Sequence, residues 1–173
     1  PTETVYGIAA DCFNEEAVEK IYLAKGRPSD NPLIVHISAF DEIYSLVTEV
    51  PEKAKELMHK YWPGPLTEIL PKKSTVSDKV SGGLPTVAVR MPSHPVARAI
   101  IEAAGVPLAA PSANISGFPS PTSFSYVKDD MCGRLPAIVD GGDCDFPTLL
   151  ERICAIEGDF TVRFMTSHPK DAT

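Results

Sequence analysis

Two short segments, far apart in the sequence, carry residue types that bind a polyanion. Lys25 and Arg27 flank a single glycine, and Ser112 and Asn114 flank a single alanine. The ammonium is a point charge and the guanidinium a planar fork of donors, so together they suit phosphate oxygens. The hydroxyl and the carboxamide add further hydrogen-bonding groups. This set suits a nucleoside triphosphate, although the chain has no P-loop motif.

Each segment also has a simpler interpretation. Cations in the last turn of a helix interact favourably with the helix dipole, which would explain Lys25 and Arg27. Ser112 and Asn114 can form a turn before Gly117. No histidine and carboxylate lie near Ser112 in a pattern that would make it a nucleophile, so we assign it a hydrogen-bonding role.

A second group of polar side chains is predicted to share one face of a sheet. Side chains alternate between the two faces of a strand, which separates Arg90 in the segment 86–91 from its valine neighbours. The same alternation puts His36 opposite the apolar side of the segment 32–37. An extended first segment would also align Thr2, Thr4 and Tyr6. A concave sheet that lines a ligand cavity explains this pattern, and so does a half-exposed sheet with a core histidine and an ion-paired arginine.

Composition limits the classes of protein that this chain can represent. It has 173 residues, of which 43% are hydrophobic and 23% charged, as in an ordinary soluble domain. The net charge of −7 and the scattered basic residues argue against tight non-specific binding to nucleic acid. The four cysteines form no C-x-x-C pair, so a zinc site is unsupported and reduced thiols are expected. No apolar run approaches the ~18 residues of a membrane helix, and no signal peptide is visible.

Helical and strand patterns alternate along the chain, which predicts an α/β fold. A first helix should begin after Asn14 and end at Gly26, because these residue types cap the two ends of helices. Further helices are predicted at 40–48, 51–61, 95–104, 122–130 and 148–157. Strands are predicted at 32–37, 66–70, 86–91, 107–110, 137–140 and 160–165.

Six spaced motifs give the chain a family resemblance. They are Pro1–Gly7, Lys25–Pro32, Trp62–Thr67, Thr86–Pro92, Ser112–Asn114 and the Gly141-Gly142 pair. In this order they resemble the YrdC/Sua5 family, the threonylcarbamoyl-adenylate synthases that begin threonylcarbamoyl-adenosine formation in transfer RNA. The resemblance covers residues 1–142. It implies a twisted mixed β-sheet with flanking helices and a concave ligand cavity.

The resemblance also implies a reaction and a set of site residues. L-Threonine, bicarbonate and ATP would give threonylcarbamoyl-AMP and pyrophosphate, the first step of the t6A37 modification of tRNA. Mg²⁺ would be carried by the triphosphate, with no all-protein metal site. Lys25, Arg27, Ser112 and Asn114 would bind ATP and support catalysis. L-Threonine would bind among Thr2, Tyr6, His36 and Arg90, with Thr4 as a weaker member.

The two ends depart from the family pattern. Family members carry a strand and a helix before Pro1, and a Val-Gly-x-Glu-Ser-Thr-Val type strand after Gly142. Residues 143–173 match neither pattern, so we expect a divergent tail, a truncated or alternatively spliced form, and an open pocket with weakened activity. An inactive isoform and an RNA-binding module of the same fold are the alternatives.

The expected partners and location follow from the same resemblance. Beyond the substrates, tRNA or a downstream threonylcarbamoyl-transferase would be the partner, with no membrane involved. The expected location is the cytoplasm, or the mitochondrion if a targeting segment precedes Pro1.

Overall fold

Alternating apolar residues build the central strands of a five-stranded sheet. The computed structural model describes residues 1–141. The sheet order is β1-β5-β2-β4-β3, with β2 and β4 parallel and the other neighbours antiparallel. This is the predicted mixed sheet. The strands are β1 (Ala10–Asp11), β2 (Ile34–His36), β3 (Thr67–Pro71), β4 (Thr86–Arg90) and β5 (Leu108–Ala109).

Most of the predicted helices form, and the first has the expected caps. The Asn14 carboxamide oxygen accepts a hydrogen bond from the Ala17 N–H at 3.0 Å. Gly26 ends this helix in the left-handed region, at a φ of 59°. The helices are α1 (Glu15–Lys25), α2 (Ile43–Leu46), α3 (Glu52–Tyr61), α4 (Asp78–Ser81), α5 (Pro95–Ala104) and α6 (Phe124–Met131).

Two of the predicted elements differ from the structure. The expected helix at 40–48 is a 3₁₀ turn, Phe40–Glu42, followed by the single-turn α2. Residues 137–140 form no strand with any part of 1–141, so the prediction of a strand there is wrong. The elements predicted at 148–157 and 160–165 lie outside the described residues.

The sheet has a core face and a polar face, as the alternation predicts. Val35 and Val89 are completely buried on the core face. On the other face, strand register aligns residues from four strands, because each is the direct partner of the next. This row is Leu108, His36, Arg90 and Thr67.

The first segment is a tight turn, so the extended arrangement that would align Thr2, Thr4 and Tyr6 does not form. The Thr2 N–H donates to the Val5 carbonyl at 3.0 Å. The Thr2 hydroxyl donates to the same carbonyl at 2.8 Å and accepts from the N–H groups of Thr4 and Val5. A threonine hydroxyl that competes for backbone groups in this way favours turns over strands.

The core is apolar and includes one thiol. Its side chains come from both the sheet and the helices, with Leu33, Ile37, Ile43, Leu46 and Met58 at or below 1% exposure. Cys12 is free and buried, and burial raises the pKa of its thiol to about 12. Across residues 1–141, no helix has the length and apolar character needed to cross a bilayer.

A pair of glycine substitutions tests the packing of the 28–32 loop against α4. Gly82 and Gly105 both have left-handed φ values, 60° and 67°. A Cβ on Gly82 would lie 2.6 Å from the Asp30 carbonyl oxygen, whereas a Cβ on Gly105 would meet no atom within 4 Å. We expect Gly105→Ala to cost about 1–2 kcal/mol from the backbone conformation alone. Gly82→Ala should cost clearly more, measured by urea unfolding. Equal losses would show that the close approach does not constrain the fold.

Candidate functional site

A buried ion pair joins the first residues of the chain to the centre of the sheet. Glu3 Oε1 lies 2.7 Å from Arg90 Nη2, and the two side chains are 12% and 9% exposed. The other Glu3 oxygen accepts a hydrogen bond from the Ser93 N–H at 3.1 Å. Arg90 Nη1 donates to the Thr4 hydroxyl at 3.1 Å. The turn at residues 2–5 is therefore held over the polar face of the sheet.

Arg90 is only partly satisfied by these contacts. Its Nε and Nη2 are buried and have no hydrogen-bond partner within residues 1–141, and Glu3 Oε1 has none either. The short distance between Nη2 and Oε1 thus reflects charge attraction without hydrogen-bond geometry. Nε and Nη2 form one edge of the guanidinium, the edge that can grip a carboxylate with two parallel hydrogen bonds. An orphaned pair of this kind is costly unless a ligand completes it.

His36 is the polar neighbour of Arg90 in the row across the sheet. Its Nδ1 lies 3.3 Å from the Ile34 carbonyl oxygen. A carbonyl accepts hydrogen bonds, so Nδ1 carries the proton and Nε2 is left as an acceptor. Burial first, and then the nearby charge of Arg90, lower the pKa of His36 to about 4. The imidazole is neutral at pH 7 and suits a hydroxyl donor.

A small cavity adjoins the imidazole. It has a volume of about 70 Å³, and its lining includes Thr2, His36, three residues of α5 and one residue of β5. Tyr6, another predicted site residue, is 3% exposed and accepts a hydrogen bond from the Gly141 N–H at 3.3 Å. The predicted group of Thr2, Thr4, Tyr6, His36 and Arg90 therefore falls in one region, with Tyr6 packed as support.

Lys25 links the two predicted polyanion segments. Its side chain is 1% exposed, and its ammonium donates to the backbone carbonyls of Ser112 and Asn114, the second at 2.6 Å. Desolvation, followed by the neighbouring charge of Arg27, lowers the pKa of Lys25 to about 8. The two segments meet as predicted, but the cation is directed at main-chain oxygens.

The other members of this set also make local contacts. Arg27 Nη2 donates to the Pro32 carbonyl at 3.2 Å, and Asn114 Nδ2 donates to the carbonyls of Ile115 and Phe118 at 2.9 and 2.8 Å. Asn114 Oδ1 is buried and lacks a partner within residues 1–141. Ser112 is half-buried and bridges Gly7 through the backbone.

Arg27 also borders a groove of about 710 Å³ beside α1. Four of the residues that line it are acidic, so the groove repels a polyanion: Glu15, Glu19, Asp30 and Asp78. Residues 1–141 contain no cluster of three or more potential metal ligands.

Two residues of the polar face are absent from the predicted set. Glu3 stands between the predicted Thr2 and Thr4, and its charge in an otherwise neutral motif was the available signal. Thr67 ends the Trp62–Thr67 motif and is the strand partner of Arg90. Strand pairing is non-local, so no local pattern indicates this neighbour.

Replacing Lys25 should destabilise the fold more than replacing an exposed lysine of the same helix. Lys25→Met removes a donor shared by two carbonyl oxygens, and each oxygen left unsatisfied costs about 1–3 kcal/mol. Lys20 is 71% exposed and pairs with Glu16, so Lys20→Met should cost under about 1 kcal/mol. Urea unfolding of both variants measures the difference. A Lys25→Met loss no larger than that of Lys20→Met would contradict a structural role for this ammonium.

His36 should make stability depend on pH below neutrality. Its pKa is lowered from 6.5 to about 4 in the folded chain, so between these values the unfolded chain binds more protons. Stability is therefore lost as pH falls from 6.5 towards 4. The wild type should lose more than His36→Gln, compared by thermal or urea unfolding across that range. Parallel curves for the two proteins would show that His36 does not titrate in this way.

The chain matches known proteins over the region that carries these motifs. The Sua5/YciO/YrdC family model, described as telomere recombination, matches residues 1–149. That match runs past Gly142, the predicted domain end, which itself lies outside the described residues. The threonylcarbamoyl-AMP synthase of Pyrococcus abyssi is 54% identical over 83% of this chain and 42% of its own length. That of Bacillus subtilis is 58% identical over 82% of this chain and 41% of its own length.

A solved structure matches the same region of the chain. The crystal structure of P. abyssi Sua5 complexed with L-threonine has a TM-score of 0.81 and 54% identity, over 83% of this chain and 42% of that one. The present chain thus spans about two fifths of the length of these relatives. The motifs, the mixed sheet and the extent of the match together make this chain a member of the Sua5/YciO/YrdC family.

Proposed function

We propose that this chain carries the L-threonine and ATP sites of a threonylcarbamoyl-AMP synthase. The reaction converts L-threonine, bicarbonate and ATP to threonylcarbamoyl-AMP and pyrophosphate, the first step of t6A37 formation in tRNA. The names of the relatives support this activity. The structural observation that carries it is the guanidinium of Arg90, buried with Nε and Nη2 unsatisfied within residues 1–141.

The polar face of the sheet offers complementary groups for L-threonine. The Nε–Nη2 edge of Arg90 suits the carboxylate, because its two donors are parallel, and a bound carboxylate would share Nη2 with Glu3. The neutral His36, with Nε2 as acceptor, suits the side-chain hydroxyl. The cavity of about 70 Å³ next to His36 suits a small side chain and is far below the 300–1,000 Å³ of most ligand pockets. ATP must therefore bind outside it.

The ATP phosphates would lie near the loop that follows β5. Lys25 contacts this loop through the carbonyls of Ser112 and Asn114, and Arg27 lies two residues further along the chain. Mg²⁺ would arrive on the triphosphate, as magnesium usually does. Because the Lys25 ammonium already binds two carbonyls, we assign it mainly to shaping this loop. Arg27 is half-buried and presents a planar fork of donors, so it is the better phosphate partner.

The chemistry requires positioning and charge neutralisation. The neutral amine of threonine adds to CO₂ derived from bicarbonate, and loss of a proton gives a carbamate. A carbamate oxygen attacks the α-phosphorus, the bond to the bridging oxygen breaks, and pyrophosphate leaves. Cations near the phosphates stabilise the charge that develops on the leaving group. Arg90 fixes the carboxylate so that the amine faces the ATP site.

The two alternative functions have less support. An RNA-binding module would need a basic surface, and the net charge of −7 opposes it. An inactive isoform would bind its ligands without turnover. No feature of the described residues favours it over the enzyme.

Arg90→Lys tests the proposal better than Arg90→Ala. Lysine keeps a positive charge beside Glu3, whereas alanine would leave that carboxylate buried and unpaired, at about 3–5 kcal/mol. Loss of the bidentate contact should weaken L-threonine binding by roughly tenfold or more, since a charged hydrogen bond contributes about 1.5–3 kcal/mol. ATP binding should not change. Calorimetry measures both, and threonine-dependent release of pyrophosphate from ATP measures turnover.

Ligand binding and pyrophosphate release by the wild-type chain distinguish an enzyme from an inactive isoform. Binding of both ligands without pyrophosphate release would favour the inactive isoform, and absence of threonine binding would remove the proposal. Unchanged threonine affinity in Arg90→Lys would show that Arg90 is an ion-pair residue and that the carboxylate binds elsewhere.

A further inference from the structure

One wall of the His36 cavity is the inner face of α5. Ala97 and Ile101 lie one helical turn apart on this face, and both line the cavity. Ile101 is 3% exposed and belongs to the packed interior, whereas Ile100 is 38% exposed at the cavity edge. Pro95 begins the helix, and the His94 ring nitrogen accepts from the Val96 N–H at 3.3 Å, so the first turn is fixed.

The cavity accepts a group of a few atoms. Its volume of about 70 Å³ is several times the ~15 Å³ that one water molecule requires. Its lining includes the imidazole of His36 and alkyl groups from α5 and β5. A side chain with one hydroxyl and one methyl matches this mixture of polar and apolar lining groups. A purely apolar side chain would leave Nε2 of His36 unpaired, and a larger one would contact Ala97.

We propose that Ala97 is the residue that sets the size of the amino-acid side chain accepted by this cavity. The inference rests on the proposed function, because it takes the cavity as the side-chain subsite of the bound amino acid. The substrate class is then a β-hydroxy amino acid whose β-carbon carries at most one methyl group. His36 selects the hydroxyl of the bound side chain, and the methyl of Ala97 limits the size of its alkyl part.

Ala97 is suited to this role by its place and its size. Its side chain is a single methyl on the rigid first half of α5, so it cannot move aside by rotation about χ1. Enlarging it directs new atoms into the cavity, while the fixed helix prevents compensation. One methylene in an apolar pocket changes substrate discrimination by about 10–200-fold, so small substitutions should have measurable effects.

The test measures three ligands against the full 173-residue chain by calorimetry. The ligands are L-threonine, L-serine, which lacks the methyl, and (2S,3R)-2-amino-3-hydroxypentanoic acid, which has one more methylene. Ala97→Val should weaken L-threonine binding at least ~10-fold more than L-serine binding. Ala97→Gly should improve binding of the longer analogue relative to L-threonine by a similar factor. Ala99→Val, an exposed position of the same helix, should change neither ratio.

The outcomes separate this inference from the function it rests on. Equal changes for all three ligands in Ala97→Val, or a ratio shift that Ala99→Val reproduces, would overturn the role of Ala97 and leave the proposed function intact. Failure of the wild type to bind L-threonine would overturn both. If thermal unfolding shows that Ala97→Val does not fold, the ratio measured for Ala97→Gly decides, and an unchanged ratio rejects the proposal.

Discussion

The ion pair between Glu3 and Arg90 determines where the rest of the polar site can lie. The attraction within a buried charge pair offsets the desolvation cost only when the remaining hydrogen-bonding groups are also satisfied. Here the Ser93 N–H and the Thr4 hydroxyl satisfy part of the pair, and two guanidinium donors remain unpaired within residues 1–141. The pair thus anchors the turn at residues 2–5 over the sheet, while Nε of Arg90 stays without a hydrogen-bond partner among the described residues.

Local patterns predicted the central part of this arrangement. The period of two along β2 and β4 assigned His36 and Arg90 to one face, because side-chain direction in a strand depends on little beyond the strand itself. The caps of α1 were equally readable, since Asn14 and Gly26 act on backbone groups a few residues away. Pairing then brought these two side chains into direct register. The motif resemblance supplied the expected ligands, which the alternation of side chains along a strand does not identify.

Non-local contacts explain what the sequence did not reveal. The charge of Lys25 at the end of a helix predicted capping or phosphate binding, yet its burial depends on a loop 89 residues away at Asn114. The strand predicted at 137–140 found no partner within residues 1–141, and an unpaired strand has no stability of its own. The turn at Thr2 forms because its hydroxyl makes hydrogen bonds with three backbone groups. The alternation of polar and apolar residues does not predict such side-chain hydrogen bonds.

The strand order has a consequence for folding during synthesis. β2, β3 and β4 are close in sequence and can associate early, but β5 lies between β1 and β2 and is made last of the five. Until it arrives, Ala10 has no partner strand and the Lys25 ammonium has no carbonyls to bind. Because domains generally fold as units as they leave the ribosome, the nascent chain must carry a partly open sheet until residue 114 has emerged. The contacts between Lys25 and the loop after β5 therefore form later than the pairing of β2 with β4.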